Sequence, residues 1–196
     1  MTCRQHWEAE GETELTDEDW LSALNGLKRW TKCYSHVEAH RKLLYRWYMT
    51  PNRLHKMYPV VPAECRRCAA ETGTLPHVWW HCSGIQPLWR DVKDILDALG
   101  IRDFPMNIES CLLLLFPKET HENQKQLLLL ILMAARNLIA LYWKKHSCPS
   151  AQQLKDKIQQ FYKYEKMSTD TIKATAKFRE TWEGWEMWYK EGDFLE

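Results

Sequence analysis

The sequence predicts a mainly helical fold with one small cysteine- and histidine-bearing element inserted in it. Three observations carry that expectation. Apolar residues recur at the three- and four-residue spacing of a single helix face, as in Leu88, Val92, Ile95, Leu96 and Leu99. Long alternating runs, the mark of half-buried strands, are absent. Pro51, Pro59, Pro62, Pro105 and Pro149 fall at the edges of the helical runs, where they start or stop helices. With 196 residues, 45% of them apolar, the chain is one large domain or two small ones with a real core.

Residues 1–15 are acidic with no apolar core, which predicts a flexible terminus and no signal peptide. Thr16 is a helix cap, and Asp17, Glu18 and Asp19 sit where the helix dipole favours acids. Trp20, Leu24 and Leu27 then share a face, with Leu21 adjoining and Gly26 as a weak point. A helix from about His36 to Met49 has Val37, Leu44, Trp47 and Tyr48 as its inner stripe. Thr50-Pro51 ends it and opens a short helix, completing a basic segment over residues 16–61. The cysteine element occupies 62–83, and a helical bundle is expected over 84–196. Within that bundle, Ile85 to Leu99 is amphipathic and closes on Gly100. Residues 101–110 connect. Leu112 to Phe116 forms a buried strand or a helical turn. Glu119 to Lys145 is the longest helix. Its run Leu127 to Ala135 is too short to span a bilayer and meets Arg136-Asn137, so it reads as a core helix and no membrane is expected. Pro149-Ser150 opens a helix to about Lys166. Ser168 to Tyr189 forms the last, with Ile172, Phe178, Trp182, Trp185 and Trp188 in register.

The inserted element reads Cys65-x2-Cys68-x8-His77-x4-Cys82. Two thiolates two residues apart reach one metal if the backbone turns tightly between them, and a later His and Cys close a tetrahedral site. Four soft ligands with no carboxylate suit structural zinc better than a catalytic site with an open position. Gly73 and Pro76 lie in the gap, where the chain must fold back. His81 rivals His77, but its neighbour Cys82 makes simultaneous binding awkward, so His77 is preferred. The alternative is a packed Cys/His turn without metal. The other cysteines, Cys3, Cys33, Cys111 and Cys148, are scattered, which suits a reduced, intracellular protein rather than a disulfide framework.

The stretch Gly73-Thr-Leu-x-His77-x-Trp79-Trp80-x-Cys82 resembles the C-terminal cysteine motif of vertebrate LINE-type (non-LTR) retrotransposon reverse transcriptases. The run from Tyr45 to Met57 and Ile85-Gln86-Pro87-Leu88-Trp89 are similar to the segments flanking that motif. Many members of that family place one more residue between the first two cysteines and one fewer in the next gap. The resemblance implies the tail of a large polyprotein, downstream of endonuclease and polymerase. It would hold the element RNA, with target DNA as a further partner, in a nuclear or cytoplasmic ribonucleoprotein during target-primed reverse transcription.

Charge is unevenly spread. Residues 1–20 carry seven acids against Arg4, and residues 28–67 carry ten Lys/Arg against Glu38 and Glu64. The net charge of +1 thus hides a basic segment. Arg41, Lys42, Arg46, Arg53, Lys56, Arg66 and Arg67 are interleaved with Tyr45, Trp47, Tyr48 and Tyr58. Cations for phosphates and ring faces for unstacked bases are what a single strand needs. Trp79 and Trp80 are further candidates, one facing the core and the other serving as a platform. The competing reading is a solvated helix face.

Two rivals come from other classes. His36-Val37-Glu38 with Cys65-x2-Cys68 imitates the zinc deaminase signature of a ligand His, an acid/base Glu and two ligand cysteines. Strands for a deaminase sheet are absent, and His77 and Cys82 complete a site without His36. A polymerase site, with paired aspartates on a hairpin for two magnesium ions, is not present. The second rival is a zinc-stabilised scaffold that binds protein. The expectation is a non-catalytic RNA-binding module.

Overall fold

The structure, a computed structural model, describes residues 1–31, 33–172 and 175–193; the side chains at 29–30, 122–123, 169–172, 175 and 191–193 are outside the description. It is mainly helical. The helices are α1 (Cys3–Gly11), α2 (Asp17–Asn25), α3 (Leu27–Trp30), α4 (Tyr34–Leu44), α5 (Pro51–Met57), α6 (Gln86–Ala98), α7 (Ile108–Cys111), α8 (Glu122–Tyr142), α9 (Ala151–Ile172) and α10 (Thr175–Asp193). A π-helical turn covers His77–His81, and a single β-bridge, Glu64 to Thr72, is found among the described residues.

Helix α8 sits at the centre. It packs against α9 and α10, with α6 and α4 on its remaining sides. Its apolar residues go all round the helix because neighbours surround it, and Leu128 to Ala135 are all buried. Gln124–Tyr142 is long and apolar enough by composition to cross a membrane, but 67% of that window is buried inside the fold. The helix also runs straight through Arg136. That side chain is buried, and it donates to His40 Nδ1 at 2.7 Å. Arginine has only donors, so Nδ1 accepts and His40 carries its proton on Nε2, which reaches the Ala23 carbonyl at 2.6 Å. Burial, with the Arg136 charge beside it, pushes His40 down to about 3. Burial likewise lowers Arg136 to about 9.

The terminus expected to be flexible is folded. Thr2 and Gln5 form a capping box for α1. Trp7 is 0% exposed and donates its indole N–H to the Leu44 carbonyl. Large apolar area outweighs the acidic surroundings, whose charges stay at the surface or find partners. Arg4 pairs with Glu8 and Asp17, and Thr13 bonds Glu109 of α7. The Thr16 cap forms as expected, with Asp19 completing the box.

Helix α4 stops at Leu44, five residues before the expected end, because Arg46 takes a left-handed φ of 55°. That break turns Trp47 out of its expected inner stripe; it is 69% exposed. Gly26 separates α2 from α3. Leu112 and Leu113 are buried but form neither strand nor helix; Leu114 turns the chain with φ 60°. Gly100, with φ 79°, ends α6 as expected. Helix α9 runs on to Ile172, past the expected stop at Lys166. Its link to α10 lies at 173–174, outside the described residues, as does the Ile172 side chain. Trp182 and Trp185 are buried against α9, Trp182 through Tyr162 and Trp185 through its bond to Gln159. One apolar cluster includes Trp7, Leu44, Cys65, Trp79, Leu96, Leu132 and Trp185, so the terminus, the cysteine element and the bundle share a core.

Candidate metal centre and the basic face beside it

The Cys65-x2-Cys68 turn closes through two backbone bonds, Ala69 N–H to the Cys65 carbonyl at 2.8 Å and Cys65 N–H to the Glu71 carbonyl at 2.7 Å. Ala69 takes φ 52° to make that return possible. Gly73 then passes so close to α5 that a Cβ there would lie 2.7 Å from Pro51 Cγ. Its N–H bonds the Ala63 carbonyl, and its carbonyl accepts from Asn52 N–H. The x4 gap between His77 and Cys82 becomes one wide turn: Cys82 N–H reaches the His77 carbonyl at 2.8 Å. That turn brings both side chains to the same side.

Cys65, Cys68, His77 and Cys82 converge, with their ligand atoms all within 4.8 Å of one another. Cys65 Sγ lies 3.6 Å from Cys82 Sγ, and Cys68 Sγ lies 3.4 Å from His77 Nε2. All four cysteine and histidine positions are those expected, and the cysteines are free of disulfides. The cluster could hold a metal ion. Glu71 Oε2 is 3.2 Å from His77 Nδ1, so the carboxylate holds the outer ring nitrogen and leaves Nε2 for the cluster. Burial pushes the Cys82 thiol up to about 11. Burial also opposes ionisation of Cys68, but the amides of Ala70 and Glu71 and the thiols of Cys82 and Cys65 outweigh it, and the net shift is downward. His77 is lowered by burial, with Glu71 opposing. His81 is exposed and outside the cluster.

The deaminase arrangement is not formed. The His36 ring lies 4.3 Å from Phe161 and 3.4 Å from the Thr31 hydroxyl, apart from the cysteines. Glu38 pairs with Lys42 on the outside of α4. Sequence separation in a helical chain says little about which face of the fold a residue reaches, and α4 turns His36 toward α9.

The basic face is smaller than expected in one place and larger in another. Trp79 is 1% exposed and lies against Tyr48, so it is core. Trp80 is half-buried on Trp89 at 5.0 Å. Arg67 turns inward: Nη1 donates to the Val78 carbonyl at 2.7 Å, and Nε and Nη2 are buried without a partner. Arg46 is held by Glu10 at 2.5 Å and lies over the Trp7 ring. Lys42 is tied to Glu38 at 2.9 Å, and Arg41 is half-buried. Arg53, Lys56 and Arg66 are exposed. So are Tyr45, Trp47 and Tyr58, the last two flanking α5. His146 Nδ1 lies 2.5 Å from the Arg66 carbonyl, which sets exposed Lys144, Lys145 and His146 beside the cysteine element. Sequence reasoning missed that second cluster. Its signal was a basic run directly after an apolar helix, but only the turn at the end of α8 aims it at Arg66. No family model matches the chain.

Proposed function

We propose that the cluster holds structural zinc and that the chain is a non-catalytic module binding single-stranded RNA. For the metal, tetrahedral zinc with bonds of ~2.3 Å to sulfur and ~2.1 Å to nitrogen sets sulfurs about 3.8 Å apart and sulfur and nitrogen about 3.6 Å apart. The separations of 3.6 Å and 3.4 Å fit that polyhedron. Four protein ligands close the site, leaving zinc no open position for chemistry. Glu71 on His77 supplies the outer-sphere partner that a zinc histidine ordinarily has.

For RNA, one observation carries the reading: three large rings stand exposed near exposed cations beside the cysteine element. Trp47 and Tyr58 are 69% and 56% exposed, and Tyr45 is 55% exposed. Burial is the ordinary fate of such rings, so leaving them in water is a cost that stacked bases would offset. Arg53, Lys56, Arg66, Lys144 and Lys145 offer charge for the backbone. The resemblance of Gly73 to Cys82 to the retrotransposon motif supports the same reading and supplies its context, element RNA held near a polymerase on the same polyprotein.

The test is RNA affinity measured across salt. Affinity should fall steeply with salt, and each phosphate-contacting cation removed should lower the log–log slope by about 0.7. Arg53→Ala with Lys56→Ala should weaken binding of every sequence equally, because backbone contacts do not read bases. If the double variant binds as tightly as the parent at moderate salt, the basic face is only solvated and the protein-scaffold reading replaces this one.

A further inference from the structure

We infer that the groove between α1 and the corner joining α4 to α5 seats one unstacked nucleotide of the bound RNA strand. The inference rests on the RNA-binding reading and names its base-holding subsite. The groove encloses about 360 Å³, at the small end of the ~300–1,000 Å³ range for ligand clefts. That size suits one nucleotide and excludes a duplex.

The lining brings together the three kinds of group a nucleotide needs. Tyr45 and Tyr48 offer ring faces, Arg53 and Lys56 offer cations, and Asn52 offers an amide. Tyr48 is a fixed wall: its ring is held by Trp79 at 4.9 Å and by Trp143 at 5.9 Å. A base laid on an already ordered ring loses little side-chain freedom. The Asn52 backbone is tied to the Gly73 carbonyl at 3.2 Å, so the residue is anchored on the cysteine element. Its side-chain amide has both a donor and an acceptor to turn to a base edge. Arg53 spends one nitrogen on the Arg46 carbonyl at 2.7 Å and is otherwise exposed. Glu10, the one carboxylate in the described lining, is neutralised by Arg46 at 2.5 Å, so a phosphate entering the groove meets no free negative charge.

Helix α4 ends at Leu44, beside this groove. The left-handed turn at Arg46 points its side chain back to Glu10 while Tyr45 and Tyr48 remain on the groove.

The test uses the full zinc-loaded chain and an end-labelled uridine dodecamer carrying 4-thiouridine. Tyr45→Ala should weaken binding about tenfold, the loss of one base stack, with the salt slope unchanged because no charge is removed. Tyr45→Phe should restore affinity. Asn52→Ala should weaken binding with the helical circular dichroism intact, so the proposal stays testable if Tyr45→Ala folds poorly. Irradiation should place the uridine adduct on Tyr45 or Tyr48. If the dodecamer binds but both alanine variants match the parent and adducts map elsewhere, the groove is overturned and the RNA-binding reading stands. If the parent fails to bind the dodecamer even at low salt, both fall.

Discussion

His36 and His40 lie one turn apart on α4, His36 against Phe161 of α9 and His40 against Arg136 of α8, and both are kept neutral by burial. His36 is pushed down to about 4, first by burial and then by Lys157. His40 is pushed down to about 3, by burial and by Arg136. In the unfolded chain both titrate near 6.5. Below that pH the unfolded state takes up protons that the folded state refuses. Their contribution is therefore complete above about pH 6.5 and is lost as pH falls through the window down to about 4 and about 3. The slope is at most about 1.4 kcal/mol per pH unit for each histidine. Urea unfolding at neutral pH and near pH 5 should show that loss, and His36→Gln should make the fall shallower than in the parent. An equal slope in both proteins would mean that His36 titrates normally. Where α1 meets the end of α4, Trp7→Ala should cost about 3–5 kcal/mol, the usual result of emptying a buried aromatic site. A shift in the urea midpoint of almost nothing would restore the expectation of a flexible terminus.

The cysteine element has a single bridge and a handful of backbone bonds to hold it, so a metal on the four side chains, as proposed, would add to its order. If the cluster holds zinc as proposed, a chelator should free the amides of Cys65 and Gly73 to exchange with solvent while those of α8 stay protected. Cys68→Ser should do the same without a chelator. Equal protection with and without metal would favour a packed turn. The two adjacent arginines should separate by role. Arg67→Ala removes a buried brace on Val78 and should lower metal retention and thermal midpoint. Arg66→Ala touches an exposed cation and should change RNA affinity alone. Gly73→Ala would press a methyl on the Pro51 ring and should loosen the contact between α5 and the element, visible as faster exchange at Asn52.

Over the whole molecule, stability comes from the packing of α8, α9 and α10, and the candidate site is mounted on it through α6 and the turn after α8. Trp182→Ala, at the centre of the ring cluster with Tyr162 and Phe178, should cost about 3–5 kcal/mol. Because one core is shared, that loss should lower the unfolding midpoint reported by the cysteine element as well as that of the bundle. Two separate transitions would mean that the element and the bundle unfold independently.

The helical class, the α6 and α8 core helices, the Thr16 cap, the Gly100 stop and the four-ligand cluster were legible in sequence because each is written in local spacing. A Cys-x2-Cys turn and a His-x4-Cys turn need only short stretches of backbone to present their ligands. What faces solvent was not legible. Arg66 and Arg67 are neighbours of one chemistry, yet one is exposed and the other braces Val78. Trp47, expected in the inner stripe of its helix, is bare, and of the Trp79–Trp80 pair it is Trp79 that enters the core. The folded terminus, the inward Arg46 and the arrival of Lys144 to His146 beside Arg66 all depend on contacts between distant segments. Periodicity describes one element at a time; burial is decided when elements meet, and only the tertiary structure brings them together.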